Sequence, residues 1–285
     1  MDPLTAVGGG LAVLGSKEIL TKLLGPTADY IGGKTKGLVE KMDINIDNIF
    51  KSAVNKLGDR IDSPGQVNPR VLKCVLDEGR FCEDPITQDY FGGILASSKS
   101  QDPLDDRGAA IADSIRGLSA YQLKAHYIIY HLFRQQLLGD ELFINSKVTR
   151  KRVCLFIPSP EYYFMIAPNL DYKQYEQEIK TISAHVLHGI KRYFLIDDTT
   201  VKTTQKKLKE RLPHDFKEEI TSNGCLFHPT PQGAELFLWA HGYPDKSPKL
   251  MFSDDLDISR PIINLPKANA FLLPRNSDET QKGEA

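Results

Sequence analysis

An aspartate directly before a proline, with a Gly-Gly pair two helical turns later, constrains this chain more than any other stretch of its sequence. The stretch is Asp84-Pro85-Ile86-Thr87-Gln88-Asp89-Tyr90-Phe91-Gly92-Gly93-Ile94-Leu95-Ala96-Ser97-Ser98. An Asp N-cap accepts a hydrogen bond from an orphan backbone N–H, and a proline in the first turn has no N–H to lose. Tyr90, Phe91, Ile94 and Leu95 recur at helical spacing on one face. Each glycine weakens a helix by about 1 kcal/mol relative to alanine. Gly92-Gly93 therefore predicts a place where another backbone comes close. Some twenty residues on, in Ile115-Arg116-Gly117-Leu118-Ser119-Ala120, Ser119 caps a second helix carrying Leu123, Tyr127, Ile128, Tyr130, His131, Leu132, Phe133 and Leu137, which ends near Gly139. The polar run from Ser97 to Arg107 reads as a loop. Caps, packing glycines and core aromatics are structural roles, and the pair contains no catalytic constellation.

The periodicity on either side predicts a mainly α, α+β chain: an N-terminal helical arm and helical bundle, then a smaller α+β, winged-helix-like C-terminal part. Residues 1–57 form the amphipathic helical arm, with Ile19, Leu20, Leu23 and Leu24 in one helix stopped by Gly25-Pro26. Ile46, Ile49, Phe50, Val54 and Leu57 make the stripe of a later one. Asp62-Ser63-Pro64-Gly65 breaks the pattern. Residues 66–139 form the helical core unit, in which Val71, Leu72, Val75 and Leu76 share a buried face. Residues 145–265 form the α+β unit. Within it Val153-Cys154-Leu155-Phe156-Ile157 reads as a strand, with Tyr162-Tyr163-Phe164-Met165-Ile166 as its hairpin partner. Tyr175 to Phe194 reads as a helix with Ile179, Ile182, Val186, Ile190 and Phe194 on one side. Helices broken by Pro213, a strand at Gly224-Cys225-Leu226-Phe227 and a helix opened by Thr230-Pro231 complete it. Residues 266–285 read as a partly disordered tail.

Composition excludes some function classes. A formal net charge of −1 over 285 residues gives no global attraction to nucleic acid, so that role would need a local basic face. Cys74, Cys82, Cys154 and Cys225 form no CxxC pair, which fits buried free thiols in a reducing compartment. The apolar run from Leu4 to Ser16 follows Asp2 without a basic flank and meets Lys17 and Glu18. That is a poor signal peptide, and it falls short of the ~20 residues of a spanning helix.

The block from Asp84 through Leu123 resembles the abortive-infection alpha family, in the capped helix with Phe91-Gly92-Gly93-Ile94-Leu95-Ala96 and in the entry Leu118-Ser119-Ala120. Lys22-Leu23-Leu24-Gly25-Pro26 with Ile31-Gly32 looks like that family's N-terminal segment. Gly224-Cys225-Leu226 with Thr230-Pro231-Gln232-Gly233 looks like its closing strand, turn and helix. About two thirds of the chain is covered, and the stretch 146–198 matches nothing in the family pattern. The resemblance implies prokaryotic defence against phage, in which infection triggers growth arrest or death of the host cell. The expected setting is cytoplasmic from the cysteine usage, peripheral to the inner membrane on activation from the apolar arm, with a protein partner such as a sensor or co-encoded defence component. The resemblance supplies no active site and no cofactor.

Candidate chemistry is correspondingly thin. His185 and His188 lie one helical turn apart and could face one metal with Asp197 or Asp198 as a third ligand, and an unfamiliar nuclease or hydrolase would be built there. His126 and His131 are spaced so that their rings splay apart. There is no Gly-x-Ser-x-Gly and no phosphate-binding Gly-x-x-x-x-Gly-Lys, so no catalytic residue is named and no cofactor is expected. Lys202, Lys206, Lys207, Lys209 and Arg211 make a local basic patch, the place where an adaptor would bind a partner protein or DNA. Nucleic acid ranks behind protein as the partner. The arm is the leading functional element: Leu4, Val7, Leu11, Val13, Leu14, Ile19, Leu20, Leu23 and Leu24 are the residues for conditional insertion into the inner membrane by a non-enzymatic toxic effector. Gly8, Ala12 and Ser16 have the small-residue spacing of helices that associate in lipid, which also admits a homo-oligomer.

Overall fold

The computed structural model describes residues 39–274. The arm residues from Leu4 to Leu24 and the segment 275–285 lie outside the described residues. The chain is mainly α, of α+β class, with ten helices and six short strands among the described residues. It divides into two compact units. The division falls inside the helix that Ser119 opens, between Leu123 and Lys124, and the first unit takes back Leu236–Lys246. The break at Asp62-Ser63-Pro64-Gly65 lies within the first unit.

The first unit contains helices α1 (Val39–Leu57), α2 (Pro69–Gly79), α3 (Pro85–Ser97) and α4 (Arg107–Arg116), with the start of α5 (Ala120–Gln136). Asp84 caps α3 as its sequence requires, accepting from the Thr87 N–H at 2.9 Å and the Thr87 hydroxyl at 2.8 Å. The helix buries more than one face: from Ile86 to Ser97 every residue except Asp89 is buried. Gly92 and Gly93 make this room. A Cβ on Gly92 would meet the Ser52 side chain, and one on Gly93 would overlap the Ala240 carbonyl. Ser97 Oγ donates to the Trp239 carbonyl at 2.8 Å, tying the helix to the returning segment. The seam with α1 is polar as well as apolar. Lys56 forms a buried ion pair with Asp89 at 2.7 Å, and Gln88 donates to Asn45 at 3.0 Å.

The run from Ser97 to Arg107 is not wholly loop. β2 (Lys99–Ser100) pairs antiparallel with β1 (Gln66–Val67). Helix α4 follows, burying Ala109, Ala112 and Ile115; its small residues give a weak apolar stripe that does not stand out in the sequence. At the start of α5, Ser119 and Gln122 form a reciprocal capping box, the Ser119 N–H donating to Gln122 Oε1 at 3.0 Å.

The second unit is built on a four-stranded antiparallel sheet in the order β4-β5-β3-β6. Its strands are β3 (Val153–Pro158), β4 (Val201–Thr203), β5 (Gly224–Phe227) and β6 (Asn269–Leu272). Leu155 faces Phe227 on one side of β3, and Cys154 faces Phe271 on the other. Helix α6 (Lys147–Arg152) leads into β3, helices α7 (Ser159–Ile166), α8 (Glu176–Arg192) and α9 (Gln205–Arg211) lie between the strands, and α10 (Pro231–Ala240), whose residues from Leu236 belong to the first unit, follows β5. The expected order of helix, strand, Thr230 turn and helix is present as α9, β5 and α10, set in this sheet rather than beside a two-stranded wing.

Three expectations are corrected here. Tyr162 to Ile166 is not a hairpin strand but the body of α7. Both edges of β3 are already taken by β5 and β6, and Pro160 sits in the first turn, where a helix tolerates it. The tail does not begin at residue 266, because β6 pairs with β3 and places Phe271 in a core cluster with Cys154, Phe156, Leu208, Leu212, Ile220 and Leu226. Phe194 does not continue the buried side of α8: that side is Ile179, Ser183, Val186, Gly189 and Ile190, and Phe194 is 64% exposed.

Candidate functional site

The residue types that carry chemistry are, in the second unit, mostly bound into the fold. Tyr130 Oη donates to the Leu195 carbonyl at 2.7 Å and accepts from the Thr230 N–H at 3.0 Å. Thr230 Oγ1 donates to the Phe194 carbonyl and accepts from the Gly233 N–H at 3.0 Å, which makes it the cap of α10. His126 Nε2 donates to the Gly233 carbonyl at 3.0 Å, with its ring stacked 4.5 Å from that of Tyr130. Burial drives His126 down to about 3 and Tyr130 up to about 12. Thr230-Pro231-Gln232-Gly233 is therefore a hydrogen-bonded hub, with Gly233 present because a Cβ there would strike the Tyr130 hydroxyl.

Cys154 and His228 resemble a nucleophile and base, with Sγ 3.6 Å from Nδ1. Two facts remove that role. His228 Nδ1 donates its proton to the Val153 carbonyl at 3.0 Å, so it cannot accept one from the thiol. Burial also pushes the Cys154 thiol up to about 12, which keeps it from the nucleophilic thiolate form. Burial raises Cys225 likewise to about 12. Lys202 Nζ donates to Ser183 Oγ at 2.9 Å, but Ser183 is fully buried and no substrate reaches it.

The metal candidates do not assemble into a site. His185 and His188 both lie on the exposed side of α8. Asp197 Oδ1 accepts from the Thr199 N–H and hydroxyl and closes a turn. Among the described residues no group of three His, Cys, Asp or Glu side chains is placed to hold a metal ion.

The basic patch is divided. Lys202 lies on β4, its ammonium 4.5 Å from the centre of the Tyr163 ring, and is engaged there by Ser183. Lys206, Lys207 and Lys209 are on α9, which Arg211 ends. Lys206 and Lys209 line an open depression of about 400 Å³ together with Gln205, Glu210 and Lys217. Lys217 lies past Pro213 and was not part of the sequence-level patch; the signal for it was only another lysine one short segment away.

Phe194 is the other residue that sequence reasoning placed wrongly. Helix α8 ends in a Schellman arrangement: the Leu195 N–H donates to the Ile190 carbonyl and the Phe194 N–H to the Lys191 carbonyl, both at 2.8 Å. That motif requires a left-handed residue, and Phe194 supplies it with φ +55°. No other non-glycine residue among the described residues has a positive φ. An L-residue pays about 1–2 kcal/mol there relative to its right-handed form. Gly139 and Gly242, which take positive φ after α5 and α10, carry no such cost. The sequence signal was the absence of any glycine between Ile190 and Leu195. On α7 and its link to α8, Phe164, Tyr172 and Tyr175 are also exposed, and Tyr172 stacks on Tyr163 at 4.9 Å.

Fold and site together define a mainly α, α+β protein with aromatic and basic surfaces on its second unit. No protein-family model matches the chain, nor does any curated protein or solved structure.

Proposed function

We propose that this is an antiphage protein of the abortive-infection type that acts by binding a protein partner rather than by catalysing a reaction. The observation that carries the reading is Phe194: an exposed aromatic side chain held in a backbone conformation that glycine would adopt more easily. Its strain is not offset by burial within this chain, whereas an aromatic anchor inserted into a partner would offset it. The resemblance of Asp84 to Leu123 to the abortive-infection alpha family supports the biological setting.

Phe194→Gly separates binding from folding. The relieved left-handed strain of about 1–2 kcal/mol outweighs or balances the ~0.5–1 kcal/mol of chain entropy that glycine adds. The variant is expected to melt at or above the wild-type temperature while losing both infection-triggered growth arrest and cross-linking to the product of a neighbouring defence gene. Undiminished arrest and cross-linking in Phe194→Gly and Phe194→Ala would overturn the reading.

A second reading rests on the apolar arm from Leu4 to Leu24, as conditional insertion into the inner membrane. Among the described residues no helix is long and apolar enough to cross a membrane. Leakage of anionic liposomes by activated protein, lost on deleting residues 1–25, is the result this reading requires; no leakage and no loss of toxicity on that deletion would sink it.

A further inference from the structure

The two outer strands of the sheet in the second unit present their edges differently. β4 is three residues long, and beside it the Thr200 N–H is spent on the Asp197 carbonyl and the Thr204 carbonyl on the Leu208 N–H, each at 3.0 Å. β6 is the longer edge. The Leu273 N–H donates to the Arg152 carbonyl at 2.8 Å, so Leu273, Phe271 and Asn269 turn their backbone groups toward β3. Ala270 and Leu272 turn theirs outward, as does Ala268 before them. A row of outward N–H and C=O groups is a template for a further strand. Charged residues and prolines are the usual defence, and Asn269-Ala270-Phe271-Leu272 contains neither.

One side chain closes this edge instead. Gln136 Nε2 donates to the Ala268 carbonyl at 2.8 Å, and Gln136 Oε1 accepts from the Ala270 N–H. Its amide therefore occupies two successive outward positions. Gln136 is the last residue of α5, and the helix end that carries it is firmly held. Arg134 donates to the carbonyls of Met251, Ser253 and Leu256 at 2.6, 2.9 and 2.8 Å, and Leu137 is buried. Gln136 itself is exposed, so a change of its side-chain rotamer uncovers Ala270 without disturbing the helix.

We infer that β6 is a latent pairing edge for a second copy of this chain, and that Gln136 is the contact that holds it shut. The choice of partner follows from the strand's own symmetry. Two β6 strands placed antiparallel about Ala270 exchange the Ala270 N–H and carbonyl with each other, and each Leu272 N–H meets the Ala268 carbonyl of the other copy. Every outward donor finds its acceptor on the same stretch of the second copy, and no charge within the strand opposes the pairing. The sheets of the two copies then run on as one.

Gln136→Ala is compared with wild type in the full chain by sedimentation equilibrium and amide hydrogen exchange, with melting temperature as the control for folding. Self-association is expected to tighten by about tenfold or more, since neither copy has Gln136 bonds to give up. The Ala270 amide is expected to exchange faster than wild type in dilute Gln136→Ala, and to slow again as concentration rises. Ala270→Pro removes the central N–H at a strand edge, where proline is tolerated, and is expected to cancel the gain when added to Gln136→Ala. The inference is overturned if Gln136→Ala associates no more tightly than wild type, or if the gain survives Ala270→Pro. It is also overturned if the Ala270 amide is equally protected at every concentration of Gln136→Ala, since a segment of the same chain would then cover the edge. Should the proline variant fail to fold, the concentration dependence of Ala270 exchange decides alone. Because Phe194 is not part of this edge, Phe194→Gly leaves both readouts as in wild type whichever way the partner experiment falls.

Discussion

His126 has to remain neutral for the hub around Thr230 to hold, since burial keeps its folded value near 3 while an unfolded histidine titrates near 6.5. Between those values the unfolded chain binds one more proton than the folded one, so stability is complete above pH 6.5 and drains as the pH falls toward 3. The slope is about 1.4 kcal/mol per pH unit, or roughly 2.7 kcal/mol at pH 4.5. Urea unfolding at pH 7.5 and 4.5 tests this against His126→Gln, whose amide can still donate to the Gly233 carbonyl but does not titrate. The wild type is expected to lose more stability across that interval by about one proton's worth; parallel losses in the two proteins would refute the assignment. Some of this was readable beforehand. The five-residue spacing of His126 and His131 argued against a shared ligand site, and both side chains are buried on α5. The partner of His126 was not readable, because Gly233 lies 107 residues away and its carbonyl carries no signature in sequence. Phe194 was misread for a related reason: apolar periodicity reports where a stripe runs and not where the helix carrying it stops.

Among elements, α3 was the most legible and α7 the least. Asp84, Pro85 and the Gly92-Gly93 pair are local signals whose meaning does not depend on the remainder of the chain, and each is used as expected. Tyr162 to Ile166 is an apolar aromatic run that suits a strand as well as a helix, and the choice was made by β5 and β6 occupying both sides of β3. The energetic ranking within α3 follows from its contacts. Removing the cap in Asp84→Ala costs about 1 kcal/mol, the usual value of an N-cap side chain. Gly93→Ala is far worse, because the added methyl meets backbone, the Ala240 carbonyl, instead of a flexible side-chain tip. Chemical denaturation is expected to show a loss exceeding about 3 kcal/mol for Gly93→Ala, or an unfolded protein. A loss no larger than that of Asp84→Ala would mean that the returning segment at Ala240 is not held against α3.

At the level of the whole molecule, local patterns gave the class but not the order in which pieces are joined. Each short strand is plausible alone; that β3 lies inside the sheet, between β5 and β6, depends on pairings made far along the chain. A chain ending at Lys267 would leave one edge of β3 unpaired and remove Phe271 from the cluster around Leu208 and Leu212. It is expected to aggregate or to bind a hydrophobic dye in its second unit, while wild-type melting and no dye binding would show that β6 is dispensable. The discontinuity of the units has a consequence for how the protein is made. The first unit includes Leu236–Lys246, with Trp239 reaching back 142 residues to Ser97, and the second includes β6. A ribosome that has passed α1 to α4 has therefore not yet delivered a finished first unit, and one that has delivered β3 still lacks both of its neighbours. Neither unit can close until the chain has been made past Lys246, and the second not until it has been made through Leu272.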